Sequence, residues 1–289
     1  MIEKVTRKTF TIRPSGRSSD YITPSFGFGC LLNCTYCYMK RHKESGLTVA
    51  KNINEILTEI NNHALFENNV EKPNQTDDKY ITYDIACNED FALHRKYYDW
   101  KSIFEFFKHH PVAKATLATK IIPWEFLNYN PDKKVRIRFS LMPEWLSKIL
   151  EPNTPPIKKR IEAINTFISR GYDVHINFSP VIVTAHWLDM YKQLFEQVNL
   201  IVKDKYKPFI KSEVIFLTHN AKKHEYNLEQ NLSGEYLLWN PEIQENKFSE
   251  YNTGEPNIRY IASLKTKYIN QFKELHNEII PWNTIRYIF

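Results

Sequence analysis

Gly29-Cys30-Leu31-Leu32-Asn33-Cys34-Thr35-Tyr36-Cys37-Tyr38 places three cysteines within eight residues, at the spacing CxxxCxxC. Three thiolates on one short loop can bind three irons of a [4Fe-4S] cubane. The fourth iron then lacks a protein ligand and stays open to a small chelating molecule. Zinc is the competing chemistry. It needs a fourth donor, which His42 offers, although zinc sites usually come as paired CxxC knuckles. Small buried thiols clustering by chance is the third reading, and three of the chain's four cysteines falling together argues against it.

The rest of the composition narrows the context. A chain of 289 residues fits one large domain or two small ones. Hydrophobic residues at 42% and charged residues at 25% give an ordinary globular balance, and 14% aromatics exclude disorder as the main state. Glycine occurs only 7 times, and neither GxGxxG nor GxxxxGKS is present, so a Gly-rich phosphate loop is excluded. Four cysteines are too few for a disulfide scaffold. The net charge of +6 permits a polyanion partner without demanding one. No run approaches the ~18 apolar residues of a membrane-crossing helix. The start, MIEKVTRKTFTIRPSGR, has no apolar core of a secretory signal. The expected location is the cytoplasm, where thiols stay reduced and clustered cysteines read as metal ligands.

Short β-rich runs alternate with helical patterns, which predicts an α/β fold. Strands are expected at Ile22–Phe28, Tyr80–Ala86, Ala115–Ala118, Val135–Leu141, Val174–Ser179 and Ser212–Leu217. Several are apolar nearly throughout, as in a parallel sheet covered on both faces. Helices are expected at Val49–Ala64, Trp100–His109, Ile157–Ser169, His186–Gln197 and Lys265–Asn277, from apolar residues at three- and four-residue steps. Pro123, Pro143 and Pro180 follow strands and suit turns. Six β/α units are too few to close an eight-stranded barrel. The expected architecture is therefore a partial (β/α)6 barrel over residues 1–257, carrying the cysteine loop at 29–38. A small C-terminal extension over 258–289 would have its own strand near Thr284–Phe289. Glu245–Asn257, polar with Gly254 and Pro256, reads as a loop. No repeat or low-complexity tract is present.

With an aromatic residue before its last cysteine, the CxxxCxxC run resembles the signature of the radical SAM superfamily. The resemblance implies a [4Fe-4S] cluster on Cys30, Cys34 and Cys37, with S-adenosylmethionine (SAM) chelated to the open iron. Reduction would cleave the sulfonium and release a 5′-deoxyadenosyl radical, the cofactor carrying the hard chemistry and the protein orienting it. A closer resemblance is to the spore photoproduct lyase family. It rests on Tyr36 and Tyr38 around Cys37, on Ala86-Cys87-Asn88-Glu89-Asp90, on Thr119-Lys120, on Arg138-Phe139-Ser140-Leu141 and on the stretch Gly171–Val183. It continues through Ile258-Arg259-Tyr260 and Pro281-Trp282-Asn283-Thr284-Ile285-Arg286-Tyr287. It spans the chain from about Ser25 to the end.

That resemblance implies roles. Cys87 matches a hydrogen-atom donor, and Tyr36 and Tyr38 match tyrosines that relay hydrogen. Lys120 and Ser140 match contacts to cofactor and active site, and Arg259 and Tyr260 match a C-terminal pair near the lesion. Glu89 is a candidate acceptor for the SAM amino group, although superfamily members often place a Gly-Gly-Glu run there. The implied substrate is a thymine dimer in DNA, the implied reductant a protein such as flavodoxin or ferredoxin, and a monomer is expected. The plain alternatives are a small buried thiol at Cys87, tyrosines packing around the cluster, a solvated Lys120 and a core hydroxyl at Ser140. His94, Arg95 and Lys96, followed by Tyr97, Tyr98 and Trp100, fit phosphate and base contacts, but fit an amphipathic helix start better. Lys40, Arg41, His42 and Lys43 read as a solvated charge run. Two departures stand out: Cys87 is followed by Asn-Glu where the family has Thr-Ser, and the run after Tyr260 has no glycine. The alternatives to lyase chemistry are a radical SAM enzyme for another nucleobase, a peptide or a metabolite, and a non-catalytic metal-stabilised nucleic-acid-binding module.

Overall fold

The structure, a computed structural model, describes residues 2–37, 39, 47–68, 71–74, 76–248 and 256–289. In chain order the elements begin β1 (Glu3–Val5), β2 (Arg13–Pro14), β3 (Tyr21–Ile22), β4 (Gly27–Phe28), β5 (Thr48–Ala50), α1 (Ile53–Glu67), β6 (Ile81–Asp84), α2 (Phe91–His94), α3 (Trp100–His109), β7 (Ala113–Thr119) and β8 (Val135–Ser140). They continue α4 (Glu144–Leu150), α5 (Ile157–Ser169), β9 (Asp173–Val181), α6 (Trp187–Ile201), β10 (Lys211–Phe216), β11 (Thr218–His219), α7 (Ala221–Glu229), α8 (Glu235–Leu238), β12 (Gln244–Lys247), β13 (Asn257–Tyr260), α9 (Ala262–Ile279) and β14 (Thr284–Ile288). The chain forms two compact units. One holds residues 1–31, 42–140 and 163–176; the other holds 32–41, 141–162 and 177–289. Both α5 and β9 start in one unit and end in the other.

In the first unit β3, β6, β7 and β8 are parallel neighbours, with β2 antiparallel on β3. A second sheet has the order β1-β5-β4. Strand alternation divides the main sheet into two unlike faces. Ile81, Tyr83, Ala113, Ala115, Leu117, Val135, Ile137 and Phe139 are buried on one. The first unit's helices and loops add Phe91, Phe104, Phe126 and Tyr172, with ring centroids 4.9 to 6.4 Å apart. Each such ring stabilises the fold by roughly 1.5–3 kcal/mol. The opposite face carries Thr82, Lys114, Thr116, Arg136, Arg138 and Ser140, all buried. Buried charge needs partners. Lys114 and Arg136 each reach Asp77 and Asp173, at 2.6 to 2.9 Å. Burial alone would raise the Asp77 carboxyl; Lys114 and Arg136 overcome this and lower it to about 2.

In the second unit β10 pairs parallel with β14, and β11, β13 and β12 form an antiparallel sheet. Phe178, Tyr191, Phe195 and Phe272 pack edge-on or tilted in its core. Residues 258–289 belong to this unit and supply β13, α9 and β14.

The helices expected at Trp100–His109 and Ile157–Ser169 are present with those bounds. Other expectations need correction. Ile22–Phe28 is two strands, because Pro24 has no N–H for a ladder. Val49 and Ala50 belong to β5, where β-branched residues sit between β1 and β4, and the helix starts only at Ile53. Part of the expected 245–257 loop is β12, since Gln244–Lys247 pairs with β13. Pro180 lies inside β9, after a cis peptide bond, and not in a turn. Tyr38, His42, the run Lys40–Lys43 and Gly254 fall outside the described residues.

Candidate active site

The cysteine loop turns where its residue types permit. Gly29 has φ +88° and Asn33 φ +54°, the left-handed region that glycine and asparagine tolerate best. The Cys37 N–H closes a turn on the Cys34 carbonyl at 3.0 Å. Cys34 is buried, whereas Cys30 and Cys37 are half-buried. Three thiol donors on one tightly turned loop, with one sunk and two partly open, fit a [4Fe-4S] cluster with three protein-bound irons. The chain passes from the first unit to the second inside this loop, between Leu31 and Leu32.

On the first unit's side, the turn after β6 carries Cys87. The Asp84 Oδ1 accepts the Ala86 N–H at 2.9 Å. The Asn88 carbonyl accepts the Gly29 N–H at 3.0 Å, and Asn88 Nδ2 donates to Ser25 Oγ at 2.6 Å. One backbone hydrogen bond thus joins the residue before Cys30 to the residue after Cys87. Asp90 caps α2 and also accepts from Thr119 Oγ1 and the Lys120 N–H, which fixes the start of the loop after β7. Ser140 ends β8 on the polar face. Cys87, Lys120 and Ser140 therefore follow or end three neighbouring parallel strands at their carboxyl ends, where open α/β sheets bind ligands.

Glu89, the candidate acceptor for the SAM amino group, is enclosed. Its side chain is 1% exposed. One oxygen accepts the Tyr98 hydroxyl at 2.5 Å, and the other lies 2.7 Å from His94 Nδ1. Burial raises its pKa, against the two hydrogen bonds. Gly27 makes room for this group: a Cβ there would lie 2.0 Å from the Tyr98 hydroxyl and 2.3 Å from Glu89. The basic-aromatic run after it ends α2 at His94, makes a 3-10 turn over Arg95–Tyr97 and reaches α3 only at Trp100, with Arg95 bound to Glu125 at 2.7 Å.

In the second unit the two residues between Cys34 and Cys37 are held at every turn. The Thr35 N–H donates to the Leu150 carbonyl at 2.9 Å, and Thr35 Oγ1 donates to the Ser233 carbonyl at 2.9 Å. The Thr35 carbonyl accepts Asn227 Nδ2 at 3.0 Å. The Tyr36 hydroxyl donates to Glu151, which is paired with the fully buried Arg160 at 2.8 Å. Burial, with Glu151 beside it, pushes the phenol well above its ordinary value. Asn227 also donates to Glu235, whose other oxygen meets His219 at 2.8 Å and His224 at 2.6 Å. Two imidazoles and a carboxylate are a donor set that metals use. Here each imidazole sits at hydrogen-bond distance from the carboxylate, and the buried Lys223 beside them donates to the Thr218 carbonyl at 3.1 Å.

Tyr260 is 3% exposed and its hydroxyl accepts the Val183 N–H at 2.9 Å. Arg259 alternates to the other side of β13 and is half-buried. Sequence reasoning missed Asp84, Arg138, Glu151, Arg160, Asn227 and Glu235. Among these only the charge of Arg138 in the apolar strand Val135–Leu141 signalled anything.

The sequence profile of the spore photoproduct lyase family matches residues 3–289. This chain belongs to the spore photoproduct lyase family. The spore photoproduct lyase of Bacillus subtilis (strain 168) is 25% identical over 276 residues, covering 93% of this chain and 73% of that protein. The spore photoproduct lyase of Geobacillus sp. (strain Y412MC61) is 21% identical over 196 residues, covering 66% of this chain and 54% of that one. A solved spore photoproduct lyase double mutant with bound AdoMet and dinucleoside spore photoproduct matches with a TM-score of 0.87. It is 17% identical and covers 100% of this chain and 82% of that chain. A spore photoproduct lyase complexed with dinucleoside spore photoproduct matches with the same TM-score and coverage. The fold is thus that of the family, an α/β partial barrel of the radical SAM type. Members of the family are radical SAM enzymes with a [4Fe-4S] cluster. Among the described residues no helix is long and apolar enough to cross a membrane.

Proposed function

We propose that this chain is a lyase that reverses a thymine dimer in DNA, the 5-thyminyl-5,6-dihydrothymine of the spore photoproduct. Cys30, Cys34 and Cys37 would hold the cluster, and Lys120 and Ser140 would contact SAM. When bound, the reduced cluster and SAM supply the carbon radical that takes a hydrogen from the substrate. Cys87 then gives its thiol hydrogen to the thymine-derived radical, breaking S–H and forming C–H. Tyr36 and Tyr38 serve the return of hydrogen. Arg259 and Tyr260 are the candidates for the lesion side. The work is done in the cytoplasm, by a monomer, with an electron supplied by a flavodoxin- or ferredoxin-like protein.

The observation that carries this reading is the hydrogen bond from Gly29 to Asn88, which ties the cluster cysteine Cys30 and the donor Cys87 to one short span of backbone. The departure at Asn88-Glu89 also loses its force. Glu89 is turned inward to Tyr98 and His94, so it adds no charge beside the thiol.

The test is anaerobic turnover of an oligonucleotide carrying spore photoproduct, with reconstituted protein, SAM and dithionite. Restored thymine with little accumulated 5′-deoxyadenosine is the expected result. Accumulated 5′-deoxyadenosine without thymine would point to another nucleobase, a peptide or a metabolite. Cys34→Ala should lose iron and all SAM cleavage; an iron-replete, active Cys34→Ala protein would refute the cluster assignment.

A further inference from the structure

We propose that Arg138, acting through Asp84, is the positioning residue that aims Cys87. This rests on the reading of Cys87 as hydrogen donor. Asp84 is the last residue of β6, and its carboxylate makes two bonds of different kinds. Oδ2 takes Arg138 Nη2 at 2.6 Å, and Oδ1 takes the Ala86 N–H at 2.9 Å. The Asp84 carbonyl accepts both the N–H and the Oγ1 of Thr23, each at 3.1 Å. Backbone and side chain of Asp84 are thereby both fixed.

The pair is well shielded, with side chains 3% and 13% exposed, so water screens the attraction little. Arg138 approaches from β8, two strands away across β7, where Asp84 neighbours Thr116 and Ala118 neighbours Arg138. Its guanidinium selects one orientation of the carboxylate, and that orientation presents Oδ1 to Ala86. At the far end of the turn Asn88 is tied to Gly29 and Ser25. Cys87 stands between two anchored neighbours, and moving it means breaking one anchor. Hydrogen transfer tolerates little displacement: a misplacement of about 1 Å can slow a positioned reaction about 100-fold.

Arg136 is the internal comparison. It lies on the same strand and face, equally buried and paired with Asp77 and Asp173, but it touches no residue of the Cys87 turn. Its loss would weaken the fold alone.

The experiment uses the reconstituted holoenzyme with a spore photoproduct oligonucleotide, SAM and dithionite. It reads thymine restored against by-products whose methyl group is not restored, both per 5′-deoxyadenosine formed. Cys87→Ala sets the scale for a missing donor. Arg138→Gln and Asp84→Asn should each raise the by-product ratio about 10-fold or more above wild type. Their double variant should be no worse than either alone, because both act through one link. Arg138→Lys should restore part of the loss, and Arg136→Lys should leave the ratio at wild type. By-products from Cys87→Ala with clean thymine from both Arg138→Gln and Asp84→Asn would overturn the role of Arg138. Clean thymine from Cys87→Ala would overturn the donor reading and the proposal with it. If Arg138→Gln fails to fold, Asp84→Asn still decides, since it removes the ion pair that selects the orientation while keeping a side chain of the same shape.

Discussion

Glu89 in the first unit and Glu235 in the second are both enclosed carboxylates with histidine against them, and they respond in opposite ways. Burial raises Glu89, and its two partners, Tyr98 and His94, do not offset it. Burial also pushes Glu235 up, but His219, His224 and Asn227 together outweigh it and its pKa is lowered. The donor count decides, since a carboxylate takes several hydrogen bonds and each favours its charged form. The two groups therefore support the cysteine loop by different means. Glu89 fills space under Gly27, two residues before the loop. Glu235 holds Asn227, which holds the Thr35 carbonyl.

Removing Glu235 is the most severe way to break the comparison. Glu235→Leu leaves the donors of His219, His224 and Asn227 without their acceptor in a buried place, at a cost of about 3 kcal/mol. Urea unfolding measures that loss. Iron retention measures its consequence, because the Thr35 anchor between Cys34 and Cys37 loosens. Full iron retention at reduced stability would separate Glu235 from the loop. The pH dependence follows from the lowered pKa. Glu235 contributes stability above the ordinary glutamate value, 4.5, and that stability is lost as pH falls through its lower folded value. Glu235→Gln should flatten the acid limb of the melting profile.

On the other side, Gly27→Ala tests packing. A methyl group there meets the Tyr98 hydroxyl at 2.0 Å and Glu89 at 2.3 Å. Neither is free to retreat, because each holds the other and Tyr98 is 7% exposed. Overpacking of this kind should cost about 2 kcal/mol. Thermal melts check it, and a melting point equal to wild type would mean that the Glu89 pocket yields.

How far these two regions could be read from the chain differs, for a physical reason. The cysteine loop, the helix at Trp100–His109 and strands such as Val135–Leu141 are local patterns, and spacing or periodicity exposes them. Glu235 lies sixteen residues from His219, and its partners converge only through the packing of β11, α7 and α8, which no local spacing encodes. Glu89 was visible, but its partners Tyr98 and His94 were not. Its neighbour Cys87 drew it toward the cofactor, and only the absence of a Cβ at Gly27 reveals an inward cavity. The inward position of Tyr260 was hidden likewise, because alternation along β13 gives that face to Tyr260 and the other to Arg259.

The smallest effect is also the sharpest on the contrast. Glutamine at position 89 can keep both hydrogen bonds, its carbonyl taking the Tyr98 hydroxyl and its amide facing His94 Nδ1. At pH 5, Glu89→Gln should therefore lie within about 1 kcal/mol of wild type. Because the Glu89 pKa is raised on folding, the protonated form is the one that folding favours. Its contribution is fully present below 4.5 and is lost as pH rises through the folded value. Glutamine never ionises, so the variant should gain on wild type between pH 5 and pH 8 in parallel melts. If it instead falls behind as pH rises, the charge on Glu89 is wanted. Glu89 would then work as Glu235 does, through its charged form more than through shape.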